Sequence, residues 1–281
     1  MILAHGPAPD PGIWFLQWAF EPLVWGAGAA SAWWYIRAAR RVHGWSVWRS
    51  RSYIAGIGVA VFALSGPPAV FDTALFWVHM VQHLLLVMLA APLLLLGAPV
   101  TLALRSGSDR LRRRLRALIE MPPIKFFGQP VVAWMLMAAV VVLTHFSAIY
   151  NAALENELVH IGEHALYISA ALLFWWPVVG LDPGSSRLAR PVRVVYVALT
   201  MPVQAFVGLA LYSADRVLYE HYSTLQRSWG PAPLADQQLA GVVMWVGGEL
   251  LAGAALAAVV VAWMREEDRL AAKEDRRLGL T

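Results

Sequence analysis

The chain has 281 residues, of which 59% are hydrophobic and only 14% are charged. A soluble domain carries about 25% charged residues, so the composition excludes an ordinary soluble protein. There is no cysteine, which excludes disulfides, thiolate zinc sites and thiol redox chemistry. Any bound metal would therefore need histidine, methionine, carboxylate or amide ligands.

Long apolar runs, separated by connections rich in proline and glycine, predict seven membrane-spanning helices. The second is the shortest of them. We expect the spans at about 18–37, 53–64, 71–97, 130–150, 157–179, 192–212 and 239–264. The sequence thus predicts an all-α polytopic membrane protein, a seven-helix bundle that forms one domain over residues 1–281.

The distribution of basic residues predicts the orientation of this bundle. Arginine and lysine concentrate in the connections after the first, third and fifth spans and in the C-terminal tail. The opposite loops contain Arg216 and Arg227 as their only basic residues, among several acidic ones. By the positive-inside rule, the N-terminus lies outside and the C-terminus in the cytoplasm. This placement accounts for the net charge of +4 without a nucleic-acid partner.

A basic amphipathic helix is predicted at about 108–121, between the third and fourth spans. Ser108 is a suitable N-cap, and Leu111, Leu115 and Leu118 fall on one face of the helix. The arginines around them suit the anionic headgroups of the inner leaflet. We therefore expect this helix to lie on the cytoplasmic surface and to contact anionic lipids.

The pattern H-x-x-[QE]-H occurs twice within the predicted spans. The third span contains His79 and His83, and the fifth contains His160 and His164. Residues four apart lie on the same face of a helix, so each pattern presents two imidazoles together. Both spans run from outside to inside, so the two patterns point the same way through the membrane. Polar groups at this depth are costly and usually functional.

The helical rise places these histidines, together with His145 of the fourth span, in the outer half of the bilayer. We interpret the five as a shared metal site. Imidazole binds copper, zinc, iron and nickel, and the thioether of Met80, beside His79, favours Cu(I). Side chains that we expect to orient the ligands from outside the metal shell are Gln82, Tyr150, Glu163, Asp236, Gln237 and Glu249.

Two other interpretations of the same residues stay open. H-x-x-E-H at His160–His164 also matches the inverzincin pattern, in which the histidines bind zinc and the glutamate is the base. Such an enzyme would need a further acidic ligand, for which Glu249 is the intramembrane candidate. The other alternative is a haem held by two histidines for electron transfer.

Three blocks of the sequence resemble a known family of membrane proteins. They are HMVQHLLLVMLAAPLLLLGAP, THFSAIYNAALENELVHIGEHALYISAALLFWWPVVGLDP and DQQLAGVVMWVGGEL. These blocks are similar to the signature regions of the seven-span CtaG family, whose members are assembly factors for haem–copper cytochrome c oxidase. The resemblance covers the third to the seventh span.

The resemblance implies a non-enzymatic role in the bacterial cytoplasmic membrane, in which copper is presented to a cytochrome c oxidase subunit from the outer face. It would make the protein a metallochaperone or an assembly scaffold. The positions that match the family are His79, Met80, Gln82, His83, His145, Tyr150, His160, Glu163, His164, Asp236, Gln237, Met244, Trp245 and Glu249.

Overall fold

The computed structural model describes residues 11–184, 187–225 and 227–278, and every regular element in these ranges is helical. A 3-10 helix, Pro11–Leu16, precedes the α-helices, and two π-helical segments, Leu85–Ala90 and Val243–Gly247, lie within long helices. In chain order the α-helices are α1 (Pro22–Arg40), α2 (Val47–Ser65), α3 (Pro67–Phe71), α4 (Phe76–Leu84), α5 (Ala91–Leu96), α6 (Pro99–Ser106), α7 (Asp109–Glu120), α8 (Pro122–Phe127), α9 (Pro130–His145), α10 (Ala148–Glu155), α11 (Glu157–Val179), α12 (Arg190–Ala198), α13 (Thr200–Ser213), α14 (Glu220–Thr224), α15 (Pro233–Val242) and α16 (Gly248–Leu278).

Five helical stretches are long and apolar enough to cross a membrane, and they confirm an all-α membrane protein. They are Val47–Phe71, Phe76–Ser106, Glu157–Val179, Arg190–Ser213 and Pro233–Leu278. α9, where the fourth span is predicted, is a shorter apolar helix. α1, at the predicted first span, has 19 residues, but its glycines, tryptophans and arginines make it less apolar than the five.

Four of the predicted spans have bounds that differ by five residues or more in the structure. The third, predicted at 71–97, corresponds to Phe76–Ser106, and the seventh, predicted at 239–264, lies within the longer stretch Pro233–Leu278. The second is longer than the predicted 53–64, because the helix begins at Val47 and continues through α3 to Phe71. Arg49 and Arg51 in its first turns hide this start in the sequence. The fourth is shorter than predicted, since α9 ends at His145 and a new helix, α10, follows.

The predicted basic helix is present as α7, without a buried residue. Ser108 caps it by accepting a hydrogen bond from the backbone N–H of Leu111 at 3.4 Å. Such a cap satisfies one of the unpaired N–H groups of the first turn. The observed bounds differ by one residue at each end from the predicted 108–121.

The main hydrophobic core is shared by α4, α9, α11, α13 and α15. Each contributes at least one buried side chain: Phe76, Met137, Tyr167, Val207 and Ala240 respectively. α13 and α15 approach closely at two glycines. A Cβ on Gly208 would lie 2.7 Å from the carbonyl oxygen of Gly241, and a Cβ on Gly241 2.5 Å from that of Gly208. Small residues allow helix backbones in a membrane to pack at this distance.

Two helices begin at residues whose side chains cannot cap them, and each is capped by a carboxylate that lies far away in the sequence. Asp236 of α15 accepts from the N–H groups of Phe76 and Trp77, at 3.1 and 3.2 Å. Asp182 accepts from those of Val100 and Thr101, at 3.2 and 2.7 Å. Burial raises the pKa of the Asp182 carboxyl above its usual range. These contacts fix the starts of α4 and α6 against α15 and against the segment after α11.

Candidate metal centre

Three helices bring the predicted histidines together. α4, whose start is capped by Asp236, carries His79 and His83 one turn apart. α11 begins at Glu157 because Asn156 accepts from the N–H groups of Leu158 and Val159, and this start places His160 and His164 in its first two turns. α9 contributes its last residue, His145.

Two groups of three side chains are close enough to hold a metal ion, and they share His79. We call His79, His160 and His164 the three-histidine group, and His79, His83 and Glu163 the carboxylate group. Within each group the potential ligand atoms all lie within 4.8 Å of one another. Because the two groups share His79, they form adjacent parts of one centre.

Several buried polar atoms of this centre have no hydrogen-bond partner among the described residues. They are His79 Nδ1, His83 Nδ1, His160 Nε2 and both carboxylate oxygens of Glu163. Leaving such atoms unpaired costs free energy, and an unpaired buried carboxylate costs most. Glu163 Oε2 lies 3.8 Å from His79 Nε2, and Nε2 of His83 lies 2.9 Å from the same atom of His79. Imidazole nitrogens and carboxylate oxygens are metal ligands, so these atoms without hydrogen-bond partners fit a bound cation.

Gln82 fixes the proton position on His164. Its side-chain nitrogen donates to the carbonyl oxygen of Ala63 at 2.9 Å, which orients the amide. Its oxygen then lies 3.0 Å from Nε2 of His164. An amide oxygen only accepts, so Nε2 carries the proton and Nδ1 keeps the lone pair of a metal ligand.

His145 and Met80 face each other beside the two groups. Nδ1 of His145 lies 2.8 Å from the carbonyl oxygen of Val141, so the ring proton is on Nδ1. The lone pair of Nε2 is then directed at the thioether sulfur of Met80, 3.4 Å away. Neither atom has a proton to donate to the other. Nitrogen and thioether sulfur are donors that suit Cu(I).

Aromatic side chains enclose the centre. The ring of Tyr150 lies 5.2 Å from that of His79, and the ring of Tyr167 lies 4.1 Å from that of His83. The Tyr167 hydroxyl is 2.6 Å from that of Thr144. Tyr150 is fully buried and its hydroxyl lies 3.4 Å from that of Tyr222. The centre is therefore largely enclosed, and His160 and His164 are its partly exposed members.

One buried carboxylate beside the centre was not among the predicted residues. Oδ2 of Asp72, in the connection between α3 and α4, lies 3.8 Å from Nε2 of His160. The hydroxyl of Tyr222 donates to the backbone oxygen of Asp72 at 2.8 Å. Burial raises the pKa of Tyr222 well above its usual range, which keeps this donor protonated. The available signal was an acidic residue seven positions before His79, but an acidic residue at the very start of a predicted span looks ordinary in sequence.

The family comparison covers all of these residues. The family described as cytochrome c oxidase caa3 assembly factor (Caa3_CtaG) matches residues 30–266. The chain belongs to this family. The resemblance to CtaG proteins found in the sequence is thereby confirmed, and the five histidines, Met80, Gln82 and Glu163 all lie inside the matched region.

Three mycobacterial relatives of this CtaG-family protein are uncharacterized proteins. Those of Mycobacterium bovis and Mycobacterium tuberculosis are each 31% identical to it over 271 residues, an alignment that covers 92% of this chain and 41% of each relative. That of Mycobacterium leprae is 28% identical over 281 residues, with 95% and 42% covered. The chain thus spans less than half the length of these relatives. No solved structure matches it.

Three residues that the CtaG resemblance singled out lie away from both metal-ligand groups. Asp236 caps α4 and forms a salt bridge with Arg227 at 3.2 Å. Gln237 accepts from the backbone N–H of Leu218 at 2.7 Å and holds the connection between α13 and α14. Glu249 is half-buried on α16 and belongs to neither group. Asp236 acts on the centre only through the position of α4.

Proposed function

We propose that this CtaG-family protein binds copper in the cluster of His79, His83, His145, His160 and His164 during the assembly of cytochrome c oxidase. The observation that carries the proposal is the pair of three-residue ligand groups that share His79. A family of assembly factors suggests a non-enzymatic role. Copper is then a cargo, bound and released without chemical change to the protein.

The donor atoms support copper as the cargo. Imidazole nitrogens dominate, the chain has no cysteine, and the sulfur of Met80 lies beside the unprotonated nitrogen of His145. Histidine with thioether ligands favours Cu(I) over harder ions. Asp72 and the partly exposed His160 mark the side from which copper would enter. Exchange between the two groups would pass through His79, which belongs to both.

We place the centre in the outer half of the membrane. Seven spans, made by adding α1 and α9 to the five long apolar stretches, leave the arginine-rich connections on one side. The positive-inside rule then gives an outer N-terminus, a cytoplasmic C-terminus and a single domain in a bacterial cytoplasmic membrane. Copper would pass from the outer face to a docked oxidase subunit, while the exposed arginines of α7 contact anionic lipids.

The test is metal analysis of the purified full chain after loading with Cu(I). His79→Ala combined with His164→Ala removes the shared ligand and one ligand of the three-histidine group, and we expect it to abolish copper binding. His43→Ala is the matched control, because His43 is exposed in the connection between α1 and α2. Undiminished copper in the double variant would show that the site is misplaced.

A second candidate is an intramembrane zinc hydrolase. Two histidines and a glutamate form a known catalytic zinc set, and the carboxylate group has this composition. Glu163 is grouped with His79 and His83, however, and Glu249 supplies no ligand to it. In the inverzincin arrangement His160 and His164 hold the zinc and Glu163 is the base, so this function predicts stoichiometric zinc and a turnover that Glu163→Gln removes while zinc is retained. With Glu163 as a ligand of the carboxylate group, the same variant would lose zinc as well. An absorption spectrum of the same sample tests the haem alternative through the Soret band.

A further inference from the structure

Glu249 is a carboxylate near the middle of a membrane-spanning helix. The stretch Pro233–Leu278 is long and apolar enough to cross a membrane, and Glu249 is the only charged residue between Asp236 and Arg265. The helical rise separates Glu249 from these two residues by about 20 and 24 Å. A hydrocarbon core is about 30 Å thick, so Glu249 lies deep within it. An ionisable side chain at this depth is costly and usually functional.

The Glu249 side chain forms no hydrogen bond or salt bridge with any residue that the structure describes. It is half-buried, and its neighbours Val246 and Leu250 are 44% and 70% exposed. Gly248, by contrast, faces the bundle, because a Cβ there would overlap the side-chain oxygen of Gln204 on α13. Glu249 therefore lies at the edge of the outward surface of α16, without a compensating charge from its own chain.

The surface beside Glu249 has room for another helix. Residues four apart share a helix face, so Glu249, Gly253 and Ala257 follow one another along α16. A Cβ on Gly253 would have no atom within 4 Å, and Ala257 is exposed. Small residues allow membrane helices to approach closely. A helix packed along these three positions would therefore cover the carboxylate of Glu249.

The helix that carries Glu249 also packs against the helix that carries two histidines of the candidate metal centre. A Cβ on Gly247 would lie 3.3 Å from a methyl carbon of Leu84, the last residue of α4. Leu84 directly follows His83 in the sequence. A protein docked on the outward surface at Glu249 would thus be one helix away from His79 and His83.

We propose that this surface of α16 docks a membrane helix of cytochrome c oxidase that presents a lysine or arginine to Glu249. The family consists of assembly factors for this oxidase, which makes the oxidase the partner. A carboxylate without a counterion is complementary to a basic side chain, and pairing offsets the cost of both charges in hydrocarbon. A second copy of this chain would instead bring two carboxylates together, which repel each other.

The test is photo-crosslinking in membranes of cells that make the full chain together with cytochrome c oxidase. A photoreactive amino acid at Leu250 should form an adduct with one oxidase subunit, identified by mass spectrometry. Glu249→Gln keeps the shape of the side chain but removes its charge, and it should lower the adduct yield at least about 10-fold. The same photoreactive residue at Leu143, 61% exposed on α9, is the matched control and should give no oxidase adduct.

Two further variants test the docking surface. Glu249→Lys should also lose the adduct, and changing the basic residue of the crosslinked oxidase helix to glutamate should restore it. If Glu249→Gln does not fold, Gly253→Leu decides, because its side chain extends into open space and would block a docked helix. An undiminished adduct in Glu249→Gln or Gly253→Leu, no oxidase adduct at Leu250, or an adduct with a second copy of this chain would each overturn the proposal.

Copper analysis of the same chain separates this proposal from the proposed function, since docking rests on the role in oxidase assembly and not on copper. Glu249→Gln should bind as much copper as the parent, because Glu249 belongs to neither metal-ligand group. A parent protein that binds copper but forms no oxidase adduct would refute the docking surface alone. An oxidase adduct from a parent protein that binds no copper would refute copper binding alone.

Discussion

The side-chain oxygen of Gln82 lies 3.0 Å from Nε2 of His164, and this contact joins the two H-x-x-[QE]-H patterns of the chain. Gln82, the polar residue between the two histidines of the first pattern, thus orients His164 of the second. In return, Glu163, the middle polar residue of the second pattern, is grouped with His79 and His83 of the first. The two helices exchange polar partners, so neither pattern forms a complete site alone.

Loss of the Gln82 contact should weaken copper binding without removing a ligand. Gln82→Leu leaves the partly buried Nε2–H of His164 without its acceptor and frees the ring to rotate. We expect the Cu(I) affinity to fall about 10- to 100-fold, the usual effect of losing a partner that orients a metal-binding histidine. Competition against a Cu(I) chelator measures this, with Gln129→Leu, at an exposed position before α9, as the control. An unchanged affinity would separate Gln82 from the metal centre.

Met80 should determine which metal is preferred. Met80→Leu conserves volume, so the free energy of unfolding should change by less than about 1.5 kcal/mol. The variant lacks the sulfur that faces Nε2 of His145, and we expect Cu(I) affinity to fall more than zinc affinity. Titrations with both metals give the ratio. The control is Met88→Leu, which alters a buried methionine on the π-helical segment and should leave the ratio of Cu(I) affinity to zinc affinity unchanged. An equal loss of affinity for both metals in Met80→Leu would argue against a thioether ligand.

The salt bridge between Asp236 and Arg227 should be important for stability. Asp236→Asn leaves the largely buried Arg227 without its counterion and weakens the cap of α4. Breaking a buried pair in this way costs about 3 kcal/mol or more, so we expect a clear fall in the thermal midpoint in detergent. Asp268→Asn, at an exposed position of α16, is the control. A variant as stable as the parent would show that the cap is dispensable.

The contact between α13 and α15 should not tolerate a methyl group. Gly241→Ala places a Cβ about 2.5 Å from the carbonyl oxygen of Gly208, and the two helices must move apart. We expect a loss of about 1–3 kcal/mol in thermal or denaturant unfolding. In Gly253→Ala the new Cβ has no atom within 4 Å, so the same substitution should stabilise α16 by about 0.5–1 kcal/mol. Equal effects at both positions would show that helix propensity alone is being measured.

Much of the fold is readable from the sequence because it depends on local periodicity. The apolar runs predict the all-helical membrane class, which the structure confirms, and Ser108 marks the start of the basic helix. The predicted bounds of the second, third, fourth and seventh spans differ from the observed ones by five residues or more. Helices that continue past the apolar run, as at the start of α2, and the turn that ends α9 after His145 depend on packing that no local pattern reports. The seven-span count and the orientation stay predictions.

The sequence is enough to place His79 on the same helix face as His83, and His160 on the same face as His164, because the 3.6-residue turn fixes this spacing. Its signature blocks are also enough to identify the family. The tertiary structure alone decided how these faces combine, since the rotation of each helix about its axis is set by distant contacts. The capping of α4 by Asp236 and the close approach of Gly208 to Gly241 are two such contacts. In the folded chain Glu163 lies near His79, Gln82 near His164 and Asp72 near His160, whereas Glu249 lies outside both metal-ligand groups.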